Sequence, residues 1–581
     1  MQRYVRLLNR KEMYLDLMEL SFQAYDLDSI RRRISCDGSS RLDLQSYSRI
    51  MTVLSCLIHG GRMADQLELW KEMMSNCCRE IVTLREDIIA DFSIKEIMFS
   101  LRIMKETITI PVEWEQEWFR WLQELDPYLH YGSVIRDHNK ATKLHNINIY
   151  NMVGEFLRES VGLTDASAYF AKHWPTQLQH FDEKGMYMDP GCPILYDLTT
   201  RCQIQLMLGF GYQGEFAAEL DRMLCKAGEA TLLMQSASFE FPYGGRSNQF
   251  LFNETLIAAN AEYESVRYER LGDLLKASKF RRCARLAIES IERWMRLNPP
   301  RHIKNMYSIQ SKHGTESYGF YDKYMISMGA FLAIAYWFTE DESVESDNLC
   351  PAEHGGYVWQ TEESFHKVFA NSNGYSIEID YSADLSYDAT GLGRLHRRGA
   401  PTELGLSTPL SAGESFSLSE GVERIHAVIG PGWVKPEGTF QYLAECGGLD
   451  VQCTVHEESK QSVRFSVTYR GAALQGCEAV LEHYELDASG LKLHVELLGA
   501  LHDEVHVQIP VLITNGEETT DFRIQGSELR VKLNGYEYRA RCEGIMSISE
   551  QVYGNRNGEY KLARAIVKEK ATTIYLQLEK V

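Results

Sequence analysis

No CxxC pair occurs among the 13 cysteines of this 581-residue chain, which argues against a structural zinc site. The odd count leaves at least one cysteine unpaired. The opening stretch, MQRYVRLLNRKEMYLDLMEL, carries charges throughout and lacks the apolar core of an export signal. The longest apolar run, 328–338, is too short to span a bilayer. Free thiols without an export signal predict a cytoplasmic protein that does not enter the membrane. Basic charge is also scarce: 61 Lys and Arg face 81 Asp and Glu, for a net charge of -20. That excludes nucleic acid as the expected partner, and an anionic ligand would need a local basic cluster. P-loop, Rossmann, GxSxG and HExxH patterns are absent, which disfavours nucleotide chemistry, serine hydrolysis and zincin chemistry. Internal repeats and low-complexity tracts are missing as well.

What remains is ordinary globular composition, 44% hydrophobic and 24% charged, in a chain too long for one core. It is somewhat rich in aromatics, with 31 Tyr and 9 Trp. Rings of this kind serve as sugar-stacking platforms and equally as core. Over the first 340 residues apolar positions recur at helical spacing in about a dozen segments, from 13–25 to 320–339. That is the number needed for about six helical hairpins closed into an (α/α) toroid. Residues 341–356, DESVESDNLCPAEHGG, read as an acidic linker. Beyond it the period becomes two: Tyr375, Ile377, Ile379 and Tyr381 alternate with polar residues, as do Val463 to Tyr469 and Leu491 to Leu497. This predicts an antiparallel β-sandwich over 357–581 with one buried face per strand.

Four loop segments of the helical half hold more polar groups than helix ends need. In HNINIYNMVGEFLRE, His145, Asn146, Asn148 and Asn151 exceed the demands of one N-cap. In FDEKGMYMDPGCPILYDLTTR, Tyr187, Asp189, Tyr196, Asp197 and Arg201 surround a Pro-Gly turn, which by itself explains only Asp189. In FEFPYGGRSNQFLFNE, paired glycines after Tyr243 let the backbone approach a ligand, with Arg246 and Asn248 following at once. An arginine there suits bidentate grip of a carboxylate, against the plainer reading of a structural ion pair. In IKNMYSIQSKHGTESYGFYDKYM, His313, Glu316, Tyr318 and Asp322 are more than a helix end requires. In the second half, Arg394, His396, Arg397 and Arg398 form the densest basic cluster. They read either as a solvated strand end or as a wall that attracts a uronate.

In this order, the Asn-rich helix start at 145–151, the GMYMDPG turn at 185–191, the GGRSNQF loop at 244–250 and HGTESYGFYDKY at 313–324 resemble a bacterial α/α-toroid family long of unknown function. Some relatives of that family are β-glucuronidases. The likeness covers roughly the helical half, and Ile147 or Ile149 stands where the family has an aromatic. The toroid-then-sandwich order is also similar to heparinase II/III-like and oligoalginate lyases. That resemblance implies a neutralising role for Asn146, an acid or base role for Tyr196 and a sandwich histidine at His396.

The expected substrate is an anionic oligosaccharide, and no metal or cofactor is needed. The expected catalytic set is Asp189, Tyr196, Arg246, His313 and Glu316. Substrate contacts are expected from Asn146, Asn148, Tyr187, Tyr243, Asn248, Tyr318, Asp322, Arg394 and His396. Motif order favours an exo-acting, β-glucuronidase-like glycosidase with paired carboxylates drawn from Asp189, Asp197, Glu254, Glu316 and Asp322. The alternatives are a uronate lyase working by β-elimination, with an Asn or Arg neutraliser and a Tyr or His base, and a non-catalytic sugar-binding protein. A homo-oligomer is compatible with everything above.

Overall fold

The computed structural model describes residues 10–137, 145–340 and 348–581. The fold class is an (α/α) toroid followed by an antiparallel β-sandwich. By contacts the chain divides into two compact units. One holds the described residues up to Thr231 with Phe250–His302 and Phe320–Asn348. The other holds Leu232–Gln249, Ile303–Gly319 and Leu349–Val581. Two loop segments from the helical half therefore pack with the sheets. Of the acidic segment, 341–347 lies outside the described residues, while Pro351–His354 makes one helical turn in the second unit.

The first unit is built on six helices: Leu44–His59, Ile88–Thr107, Asn146–Ser160, Ile194–Gly209, Phe252–Arg270 and Tyr321–Phe338. Each packs against the next, and the last returns to the first, closing a ring. Leu44–His59 is buried on every side, and Leu44–Ile58 has no exposed position. Outer helices such as Arg10–Phe22, Leu67–Ile81 and Leu274–Met295 lie against this ring. Local signals set the starts. Asp43 caps through Ser46 N at 2.7 Å and Asp273 through Lys276 N at 3.0 Å. Charges inside the ring are paired: Lys95 with Glu96 at 2.5 Å, Arg201 with Asp197 at 2.6 Å and Arg158 with Glu155 at 2.7 Å.

The second unit holds three antiparallel sheets, of four, eight and six strands. Their facing residues share one apolar core, including Ile377, Phe465, Leu493, Val507 and Leu562. The four-stranded sheet runs in chain order through Tyr357–Gln360, Lys367–Ser372, Tyr375–Asp380 and Gly391–Arg397. Here the expectation of one buried face fails. Tyr375–Asp380 is buried on both faces, polar Ser376, Glu378 and Asp380 included. The cause is residues 237–243, which cover the polar face: Ala237 N donates to Ser376 Oγ at 2.8 Å and Tyr243 N to Glu378 at 3.3 Å. In the eight-stranded sheet the expected alternation holds along Gly490–Leu498, where Leu491, Leu493, Val495 and Leu497 are buried.

Candidate functional site

The loop Tyr243–Gln249 of the second unit is tightly constrained. Its backbone is left-handed at Gly245 (φ 71°), Ser247 (62°) and Gln249 (68°), the last two without the freedom of glycine. Three buried carboxylates hold every second amide: Glu378 accepts from Tyr243 N at 3.3 Å, Asp388 from Gly245 N at 2.6 Å and Glu316 from Ser247 N at 2.6 Å. Asn248 Nδ2 adds a bond back to Gly245 O at 2.6 Å. Every residue from Phe241 to Phe250 is buried except Arg246, which stays half-exposed. The constraint thus falls on the residues that flank this one partly accessible side chain.

Tyr318 is exposed, and its hydroxyl lies 3.4 Å from Ser247 Oγ. Arg556, fully buried, donates to Glu316 at 2.7 Å and to Gly314 O at 2.8 Å. Burial works to lower its pKa, but Glu316 chiefly outweighs that, with Tyr318 among the groups that raise it. Gly314 has to be glycine: at φ 80°, a Cβ would sit 2.5 Å from Arg556 O. An arginine, a tyrosine hydroxyl and a second, enclosed cation are thus gathered around two short loops.

Behind the loop lies a dense buried ion cluster. Lys367 Nζ is 3.1 Å from both Glu378 and Asp380 and 3.4 Å from the centre of the Tyr243 ring. Arg394 reaches Glu378 at 3.1 Å, and His366 reaches Asp380 at 2.6 Å. Burial pushes the Asp388 carboxyl up to about 7.

The remaining expected site residues fall as follows. His313 is buried: Nδ1 meets Ser419 Oγ at 3.0 Å and Ser419 N at 3.1 Å, Nε2 meets Asn555 O at 2.9 Å, and the ring stacks on Tyr307 at 3.8 Å. Burial drives its pKa down to about 4. With both nitrogens committed, it clamps loops rather than carrying protons. His396 is wholly enclosed between Ser236 at 3.1 Å and Ser407 at 2.8 Å. Strand alternation splits the basic cluster. Arg394 points inward with His396, Arg397 lies over Tyr375, and Arg398 bonds Glu353 O at 2.7 Å. No solvated basic wall results.

In the first unit Asp189 accepts from Asn146 N at 2.9 Å, and both residues are buried. Asn148 accepts from Gln177 at 2.9 Å and donates to Tyr169 at 3.1 Å. Gln177 also accepts from the Tyr187 hydroxyl at 2.5 Å. Tyr196 is half-buried. Asp322 is half-buried and accepts from Lys323 N at 2.9 Å. Asn146, Asn148, Tyr187 and Asp189 therefore form one polar group of the first unit, while Tyr243, Arg246, Asn248, Glu316, Tyr318 and Arg394 form a group of the second.

Sequence reasoning passed over Glu378, Asp388, Lys367 and Arg556. Asp388 stands in the same YDATGLGRLHRR stretch as the basic cluster, and Glu378 fills a polar slot of a regular alternation. Among the described residues, no group of three or more His, Cys, Asp or Glu is arranged to hold a metal, and no helix is long and apolar enough to cross a membrane.

No family model and no curated protein matches the chain. Solved structures do. A heparinase III aligns over 94% of this chain and 78% of its own, with a TM-score of 0.51 and 8% identity. A second heparinase III structure aligns over 98% and 84% at 0.45 and 6%. The chondroitin AC lyase of Streptomyces coelicolor A3, solved with chondroitin sulphate, aligns over 100% and 80% at 0.48 and 9%. At such identities the first likeness speaks for the fold.

Proposed function

We propose that this chain is a carbohydrate-active enzyme that cleaves uronate-containing oligosaccharides by β-elimination. The observation that carries the reading is the presentation of Arg246, the one accessible side chain of a strained loop whose amides are held by three buried carboxylates. A guanidinium fork matches a carboxylate. In β-elimination, neutralising the uronate carboxylate is what makes the C5 proton acidic enough to leave. Tyr318 is the proton-transfer group of this scheme. As phenolate it takes the C5 proton, the electron pair forms the C4–C5 double bond, and the C4–O bond breaks. The phenol then returns its proton to the departing oxygen. The cation of Arg556, held by Glu316, favours the phenolate. The family name heparinase, carried by a fold neighbour, agrees with a uronate substrate.

The choice between elimination and hydrolysis turns on Glu316. A hydrolase needs one protonated carboxyl against the glycosidic oxygen. Glu316 is enclosed, paired with Arg556 and bonded to Ser247 N, so its contacts position its neighbours and leave it no face toward a glycosidic oxygen. One observation favours the hydrolytic reading: Asp388, with its pKa near 7, has the proton affinity of a general acid. It is enclosed, however, and bonded to Gly245 N. The test is turnover of uronate oligosaccharides beside the same oligosaccharides with their carboxyls reduced to alcohols. The account expects cleavage of the first only; equal cleavage of both removes Arg246 from the chemistry.

A further inference from the structure

Two cross-strand rows on the outer face of the eight-stranded sheet differ in how they place charge. Along one cross-strand row, Glu457, Arg464, Glu485 and Lys492 are successive partners and alternate in sign. Opposite charges facing one another stabilise a sheet, and like charges facing one another cost stability. In the neighbouring row, at the other end of the sheet, Arg523 faces Arg530 and Arg530 faces Arg539, with Gln577 next in line. Three arginines thus stand side by side on three adjacent strands. Beside them the first row continues as Lys492, Tyr575, Arg541 and Glu528. Tyr575 is 40% exposed, and the Arg541 guanidinium lies over its ring at 4.8 Å.

Carboxylates are present but do not cancel this arrangement. Glu528 bonds Arg530 at 2.5 Å, Glu537 bonds Arg539, and Asp521 lies 3.9 Å from Arg523. All three are pairs two residues apart on one strand; those of Arg523 and Arg530 are largely exposed, and such pairs contribute ~0–1 kcal/mol, whereas Arg539 meets the buried Glu537 and lies 3.9 Å from Glu579. An incoming anion can replace the pairs of Arg523 and Arg530 at little cost. Arg541 makes no ion pair among the described residues. Two depressions, of 430 and 490 Å³, lie over these rows on either side of Glu528 and Arg530, which line both and make them adjoining halves of one trough-like face.

We propose that this trough binds an acidic oligosaccharide, without cleaving it. Arg523, Arg530, Arg539 and Arg541 would meet carboxylate or sulfate groups, and Tyr575 would stack on a sugar face. The interspersed Glu485, Glu528, Glu537 and Gln577 would accept from hydroxyls. That mixture favours a saccharide over nucleic acid: sugar hydroxyls can donate to the interspersed carboxylates, whereas a phosphodiester backbone has no donor to offer them. The inference goes beyond the catalytic reading and stands if the chain cleaves nothing.

The experiment uses the full chain with fluorescein-labelled oligogalacturonate and oligoalginate, read by anisotropy at low salt, in wild type and in an Arg246→Lys background. Labelled oligo-dT is the comparator. Binding should weaken about tenfold in Tyr575→Ala and in Arg530→Ser/Arg539→Ser, and persist in Arg246→Lys alone. Arg541→Gln, a change at an exposed position, should weaken it as well even if Tyr575→Ala disturbs the sheet. Three results would each overturn the proposal: no binding of either glycan by wild type, binding indifferent to all face variants, or oligo-dT binding that depends on the same residues.

Discussion

Glu316 accepts from Ser247 N at 2.6 Å and from Arg556 at 2.7 Å, so one carboxylate ties the loop that carries Arg246 to the cation beside Tyr318. Both partners are buried, and breaking such a pair leaves a charge without compensation. Glu316→Gln should therefore destabilise the chain by ~3–5 kcal/mol. Adding Arg556→Met should recover part of that loss. A double-mutant cycle by denaturant unfolding measures the coupling; additive effects would mean that the two groups act independently.

Arg246→Lys keeps the charge and loses the fork. On a uronide, kcat/KM should fall by the equivalent of ~1.5–3 kcal/mol, the worth of a charge-assisted bond. Steady-state kinetics check this, and wild-type kcat/KM would take Arg246 out of the site.

Tyr318→Phe keeps the ring and removes the hydroxyl that meets Ser247 Oγ. Under the elimination scheme kcat should collapse while substrate affinity stays within about twofold, since the hydroxyl acts on the proton and not on binding. Retained kcat would move the proton transfer to another group, with Tyr196 next to be changed.

Burial raises Asp388 from its ordinary 3.8 to about 7, so the folded chain keeps a proton there that the unfolded chain releases. The stability this contributes is fully present below the unfolded value and is lost as pH rises toward 7. Asp388→Asn can still accept from Gly245 N but never ionises. Relative to wild type it should gain ~1 kcal/mol or more between about pH 4 and about pH 8, seen as converging or crossing unfolding midpoints. A constant difference across that range would mean that Asp388 titrates normally.

The helical half was legible because its signals are local: apolar spacing gives each helix, and caps such as Asp43 and Asp273 give its start. The sheets were legible in their period, yet Ser376, Glu378 and Asp380 looked like a solvent face. What buries them is a segment more than 130 positions earlier, and alternation records only that two faces differ. The loop of Arg246 announced itself through Gly244, Gly245 and an arginine in sequence. Its supports did not, because Glu378, Asp388 and Arg556 come from distant strands and turns. His313 and His396 misled for a related reason. A histidine in a polar loop or a basic strand invites chemistry, and only the partners of both ring nitrogens show it to be committed elsewhere.

The most direct measurement is the mass of the product released from a uronate oligosaccharide in heavy-oxygen water. The account predicts a new non-reducing end one water lighter than the saturated sugar, absorbing in the near ultraviolet and carrying no heavy oxygen from the cleavage. A saturated product with one solvent oxygen incorporated would contradict elimination, and it would turn attention to the carboxylates as acid and base.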